Sequence, residues 1–272
     1  KSPRAGGLGA GVRATVRDVL DTLFPIACVG CGRYNEGNSE PHSAEASRGG
    51  QGAVNRDDAD QWLCPSCRER IEEDVPRCLV CGEHSPTGRT CYKCLPKTPI
   101  AGTIAVGRYH DPVLRAAITT LKFGAVRGGI SALAEPLGTL LAQRISARGT
   151  TESTVCIPLP LHPRRQRMRG FNQAQLLAEV IGEQLHLPVY NILVRTRPTA
   201  PQTSLRGSTD IRRQNVARAF ALSSFKTHDS QLPPRIILVD DVLTSGATLE
   251  SAATILAEAG AKEIWAAVVA RG

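Results

Sequence analysis

From Pro99 onward, short unbroken apolar runs alternate with segments whose apolar residues recur every third or fourth position. The runs read as buried strands, and the 3.6-residue recurrence reads as helices packed on them. Strands are predicted at 103–109, 155–158, 192–195, 236–239 and 264–269. The first helix opens at Asp111, an N-cap, with Pro112 at the first helical position. Its buried stripe is Val113, Leu114, Ala117, Ile118 and Leu121, and near its end only Lys122 stands out as a functional candidate. A second helix is predicted to start at Ser131, with Leu133, Leu137, Leu140, Leu141 and Ile145 inward. A third is capped by Asn172 and buries Leu177, Val180, Ile181 and Leu185. The last carries Leu249, Ala252, Ala253, Leu256 and Ala259 on one face and ends at Gly260. Ile236, Ile237, Leu238 and Val239 are four consecutive branched aliphatics, the pattern of a strand covered on both faces. Strand–helix alternation of this kind specifies an α/β fold, a parallel sheet flanked by helices, over residues 98–272.

Before residue 98 that pattern is absent. Residues 1–27 read as a flexible leader followed by an amphipathic helix, with Val12, Val16, Val19, Leu20 and Leu23 at helical spacing before Phe24-Pro25. In residues 28–97 the regularity lies in the cysteines. Eight of the nine form Cys-x-x-Cys pairs: Cys28/Cys31, Cys64/Cys67, Cys78/Cys81 and Cys91/Cys94. Two such pairs close a tetrahedral zinc site with no open position, so eight thiols predict two structural zincs, a double zinc ribbon. Sequential pairing is favoured because 78–94 alone makes a compact ribbon; an interleaved cross-brace is the alternative. Redox-active Cys-x-x-Cys motifs would need a βα context that none of these pairs shows. The 33–61 insertion is rich in Gly, Ser, Asn, Asp and Glu and too poor in apolar residues to offset the entropy of ordering, so disorder is expected there. His42 and His84 read as solvated. Cys156, inside a strand pattern, reads as a small core residue.

Composition narrows the class. Hydrophobic residues at 42% and charged residues at 21% describe a globular chain, and no apolar run approaches the ~20 residues of a membrane span. No secretory signal is visible, so a cytoplasmic protein without membrane insertion is expected. The net charge of +8 suits anionic partners, while 4% aromatic content weakens the case for stacking single-stranded bases. Oligomeric state is not legible.

The chemistry concentrates at 235–259. Asp240 and Asp241 sit where the 236–239 strand should end, and Thr244, Ser245, Gly246, Ala247 and Thr248 lead into the last helix. A helix N-terminus receives phosphate, Gly246 lets backbone approach it, and the hydroxyls can donate to its oxygens. Carboxylates beside a phosphate make sense if they hold sugar hydroxyls or a bridging Mg²⁺. A second unit, 158–173, has three prolines and arginines at 164, 165, 167 and 169, and is expected to form a rigid irregular loop that binds anions. Residues 196–213 are long and polar and read as a lid, with Arg212 and Arg213 reaching charged oxygens.

Residues 236–248 resemble the 5-phosphoribosyl-1-pyrophosphate (PRPP) signature of type I phosphoribosyltransferases. The resemblance implies that Asp240 and Asp241 hold the ribose hydroxyls and that 244–248 wrap the 5-phosphate. It also implies that Pro160, Leu161, His162, Arg164, Arg165 and Arg169 belong to a pyrophosphate loop. Taken with the four cysteine pairs, Lys122-Phe123-Gly124, Pro158-Leu159-Pro160-Leu161-His162-Pro163, Arg169-Gly170-Phe171-Asn172-Gln173 and Arg213-Gln214-Asn215-Val216, the chain is similar to the ComF family, the competence protein F group, over about residues 12–272. Two functions are implied. One is binding PRPP with Mg²⁺ and transferring its phosphoribosyl group to a nitrogen acceptor, with release of pyrophosphate. The other is a non-catalytic, PRPP-binding role in handling single-stranded DNA during competence, DNA uptake or recombination. The 33–61 insertion departs from the family pattern at the first zinc site.

Overall fold

The computed structural model describes residues 27–33, 62–123, 127–147, 153–196, 219–223 and 232–272. The segments expected to form the leader helix and the lid with Arg212 and Arg213, and most of the insertion, lie outside the described residues. After a short helix α1 (Pro65–Glu69), the elements run β1 (Ile100–Arg108), α2 (Pro112–Phe123), α3 (Arg127–Ser146), β2 (Thr154–Pro158), α4 (Pro163–Arg169) and α5 (Gln173–Leu185). They continue with β3 (Leu193–Arg195), β4 (Phe220–Leu222), β5 (Arg235–Leu243), α6 (Ala247–Glu258) and β6 (Glu263–Arg271).

β1, β6, β5 and β2 form a sheet in that order, with every pairing parallel, and β3 and β4 form a separate antiparallel pair. The strand alternation divides the core between the sheet's two faces. Ile237, Val239, Trp265, Ala267 and Val269 pack with the stripes of α2, α3 and α5. Ile236, Leu238, Ile264, Ala266 and Val268 pack with α6 and the β3–β4 pair. The unbroken run 236–239 is therefore covered on both sides, as its composition requires. All five predicted stripe residues of α2 are buried, and Asp111 Oδ1 caps that helix by accepting from the Leu114 amide at 2.8 Å.

Three boundaries differ from the sequence reading. α3 begins at Arg127 instead of Ser131 and carries Pro136 in its interior. It packs closely on α5, since a Cβ at Gly138 would stand 2.6 Å from Val180. The arginine-dense segment is helix α4, not an irregular loop. Pro163 occupies a first-turn position, where a missing N–H costs nothing, His162 is the N-cap, and Gly170 at φ 81° terminates it. Finally, β5 does not end before the acidic pair but runs through it to Leu243, because β6 offers a partner along that length.

The cysteine region packs onto the same core. Cys28, Leu63, Cys67 and Ile71 share one cluster with Val113, Leu114 and Trp265. Residues 88–90 run along the free edge of β1, where the Thr103 amide donates to Gly88 O and the Thr90 amide to Ala101 O, each at 2.9 Å.

Candidate functional site

The sheet opens at Asp240. β2 pairs with β5 only as far as Pro158 opposite Val239, whereas β6 continues to Arg271 opposite Leu243. Among the described residues β5 has a strand neighbour on only one side from Asp240 onward, at the carboxyl ends of the strands, where open parallel sheets bind ligands. Asp240 and Asp241 stand there. The Asp241 amide donates to Asp240 Oδ1 at 2.8 Å, and Lys122 Nζ lies 3.0 Å from Asp241 Oδ1. Burial, reinforced by the neighbouring Asp241 charge, pushes the Asp240 carboxyl up to about 7; the Asp241 amide, Lys122 and Arg195 oppose that rise. Near neutral pH this carboxyl is poised between its two forms, and a bound cation would displace its proton.

Beyond Leu243 the chain turns through Thr244 and Ser245 to Gly246, whose φ of 75° is left-handed. Gly246 is the N-cap of the twelve-residue α6 and has no side chain of its own to cap it with. Asp240, Val242, Leu243, Thr244, Gly246, Thr248 and Leu249 line a small open depression at this point. Gly246 and Ala247 are buried, Ser245 and Thr248 half-buried, and Thr244 exposed. The loop thus presents backbone amides and hydroxyls at the positive end of a helix dipole.

α4 follows β2, the strand beside β5. The Leu159 amide donates to Val239 O at 2.9 Å, and Asn172 Nδ2 donates to Leu159 O at 3.0 Å, fixing both ends of the 160–170 segment against β5. Arg165 and Arg169, one turn apart, are half-buried, while Arg164 and Arg167 are exposed; Pro160, Leu161 and His162 are half-buried. The Arg169 guanidinium lies 5.2 Å from the Phe123 ring, beside Lys122. Burial lowers the pKa of Arg169 and the Asp241 carboxylate counters it; Arg195 is lowered by burial and by Arg165, with Asp240 countering. His162 Nδ1 accepts from the Arg164 amide at 3.2 Å, and desolvation plus four nearby arginines lower its pKa, favouring the neutral ring. The site also takes in Lys122, a candidate from the sequence for which no partner was predicted, and Arg195, which the sequence reading did not single out. The signal for Arg195 is a charged residue closing an otherwise apolar strand.

The eight paired cysteines form two groups, Cys28, Cys31, Cys64 and Cys67, and Cys78, Cys81, Cys91 and Cys94, so the pairing is sequential. Within each group all four sulfurs lie within 4.8 Å of one another. Cys31 and Cys64 Sγ are 3.9 Å apart and Cys81 and Cys91 Sγ 3.8 Å, against roughly 3.8 Å for sulfurs tetrahedral about Zn²⁺. Burial opposes ionisation of Cys28 and Cys78, yet backbone amides bring both thiols down to about 6. Burial holds Cys67 and Cys94 above the ordinary value, and their neighbouring thiols add to it. One thiolate per group forms readily; four together need a dication, which is the chemistry of a structural zinc site.

Comparison with known proteins accords with this arrangement. Residues 191–272 match the phosphoribosyl transferase domain family. Competence protein F of Haemophilus influenzae is 33% identical over 210 residues, which cover 76% of this chain and 89% of that protein. The chain belongs to the competence protein F (ComF) family. Its other relatives include DNA utilization protein YhgH of Escherichia coli K12, 32% identical over 75% of this chain and 88% of that one. Competence protein ComFC of Bacillus subtilis is 28% identical over 74% of this chain and 80% of its own length. The ComF resemblance read from the motifs therefore holds, as does its fold, a phosphoribosyltransferase domain with two four-cysteine groups fit for zinc ribbons. Among the described residues no helix is long and apolar enough to cross a membrane.

Proposed function

We propose that this ComF protein binds PRPP with Mg²⁺ across the carboxyl end of β5 and transfers the phosphoribosyl group to a nitrogen acceptor. The observation that supports this reading is that β5 runs through Asp240 and Asp241 into the start of α6 at 244–248, while the arginine-bearing α4 follows β2, the strand beside β5. That spacing of charge suits a ribose with a phosphate at one end and a pyrophosphate at the other. Asp240 and Asp241 take the ribose hydroxyls, residues 244–248 the 5-phosphate, and Arg165 and Arg169, with Arg164 at the rim, the pyrophosphate. The carboxylate oxygens are the hard donors that Mg²⁺ prefers, and the ion when bound would neutralise charge on the departing pyrophosphate. In the transfer the C1–oxygen bond to pyrophosphate breaks, the acceptor nitrogen forms the new C1 bond, and pyrophosphate leaves with the electron pair. The protein's part is positioning and electrostatic support of that leaving group, with Lys122 and the arginines aimed where its charge develops. Thiolate-rich zinc ribbons suit a reducing cytoplasmic compartment.

Calorimetric titration with PRPP and Mg²⁺ should give saturable binding that Asp240→Ala with Asp241→Ala abolishes; full binding by the double variant would sink the site assignment. Pyrophosphate release measured against a panel of bases and amines then decides turnover, and no release above the acceptor-free rate would remove the transfer step while leaving the binding site intact.

A second reading has support of its own: relatives named for competence and DNA utilization, and a chain charge of +8. In it the basic surface and the ribbons handle single-stranded DNA, with PRPP as a bound effector. Oligonucleotide affinity should then fall steeply with salt, as phosphate neutralisation requires, and absence of binding at low salt would exclude this role.

A further inference from the structure

The second four-cysteine group reaches the candidate phosphate loop. Its ribbon is fastened at both ends. At the rear, Thr90 Oγ1 donates to Ile100 O at 2.7 Å, and Arg89 pairs with Glu263 Oε1 at 2.8 Å while lying 5.3 Å from the Trp265 ring. At the front, Arg271 Nε donates to Asp74 Oδ2 at 2.9 Å with both side chains nearly buried. Arg271 is the strand partner of Leu243, and the Gly272 amide donates to Leu243 O at 2.8 Å, so this clasp lies one residue from Thr244. Held this way, the knuckle Cys78-Leu79-Val80-Cys81 reaches the start of α6 through Leu79. Leu79 packs into the α6 side of the core. A Cβ at Gly246 would lie 3.1 Å from Leu79 Cδ1 and 3.7 Å from its Cγ, so the leucine covers the space a Gly246 side chain would fill.

Leu79 stands between two cysteines of the metal group. The knuckle is closed by the Cys78 amide donating to Glu83 O at 2.8 Å, the Gly82 amide to Cys78 O at 3.0 Å and the Cys91 amide to Cys78 Sγ at 3.5 Å. Its shape follows the thiolate arrangement. Gly246, left-handed and without a side chain, has the most backbone freedom to lose on ordering. A contact that orders it before an anion arrives lowers the cost of binding that anion.

We propose that the second zinc knuckle is the rear wall of the phosphate loop: Leu79 is a positioning residue that seats Gly246, so that metal at Cys78, Cys81, Cys91 and Cys94 and an anion at 244–248 stabilise each other. The ligand half of this statement rests on the phosphate-cradle reading above. Coupling between the two sites is reciprocal.

The test uses the full zinc-loaded chain as wild type, Leu79→Ala and Leu79→Met. Metal content, hydrogen exchange of the 244–250 amides and PRPP–Mg²⁺ affinity are measured on each. Leu79→Ala is expected to retain both metals, to exchange the loop amides about tenfold faster while β1 and α2 stay unchanged, and to bind PRPP about tenfold more weakly, the scale set by ordering one backbone residue. Leu79→Met should restore both readouts. Should Leu79→Ala shed metal, wild type treated with a chelator carries the comparison, and its loop should loosen as the second group empties. Loop exchange unchanged in Leu79→Ala, or in the chelated wild type, overturns the proposal. Failure of wild type to bind PRPP would remove the phosphate reading alone, since the exchange experiment needs no ligand.

Discussion

Asp240→Asn should stabilise the ligand-free protein at alkaline pH while weakening the PRPP binding proposed above. The Asp240 carboxyl is held at about 7 against an ordinary 3.8, chiefly by burial and then by the Asp241 charge. Between those values the folded protein binds the proton more tightly than the unfolded chain does. Stability contributed by this group therefore falls as pH rises through that window, and above about 7 the folded state carries a cost of about 4 kcal/mol. Asparagine keeps the oxygen that accepts from the Asp241 amide and cannot ionise. Urea unfolding of wild type and variant near pH 5.5 and near pH 8.5, with zinc content measured at both, should show the variant's advantage growing by about 2 kcal/mol across that interval. An advantage independent of pH would refute the assignment of a raised carboxyl to this position. A protein that gains stability by losing a site charge has been holding that charge for function.

Other outcomes follow from the packing and the metal groups. Zinc analysis by native mass spectrometry should find two zincs per chain, and Cys81→Ser should leave one or weaken the second; zero in the wild type would overturn the ribbon assignment. Cys156 is fully buried, and burial pushes its thiol up to about 12. A disulfide reagent should therefore leave it unmodified in the zinc-loaded native protein and label it on denaturation, and prompt native labelling would contradict that burial. Gly102→Ala would set a Cβ 2.4 Å from Trp265 Cζ3 and 2.8 Å from Gly88 O, so it should cost about 1–3 kcal/mol in urea unfolding. A neutral result would mean that the ribbon edge does not sit tightly on β1.

What could be read from the chain alone was what depends on short-range pattern. The α2 stripe, the Asp111 and Asn172 caps, the double-faced strand 236–239 and the four Cys-x-x-Cys pairs each rest on spacing within a few residues, and the order of those pairs along the chain gave their sequential grouping. Features set by distant partners were not readable. β5 extends past Asp240 because β6 accompanies it to Leu243 while β2 departs at Pro158, and neither fact is local to 235–243. The prolines of 158–163 predict a loop where α4 stands, because a proline breaks a helix interior, yet Pro163 sits in the first turn, which tolerates it. The candidate site divides the same way. Its acids, loop and arginines announce themselves by type and order, whereas the Lys122–Asp241 pair, Arg195 and the Leu79–Gly246 contact join segments far apart in the chain.

On the proposed reading, one crevice holds a sugar with a phosphate at one end and a pyrophosphate at the other. Equilibrium titration of the wild-type protein, in Mg²⁺, with PRPP, ribose 5-phosphate and pyrophosphate compares the whole ligand with its two halves. PRPP should bind about a hundredfold or more tighter than either half, because joined groups engage both ends at one association cost. Pyrophosphate binding as tightly as PRPP would reduce the arginines to an unspecific basic patch and contradict the account.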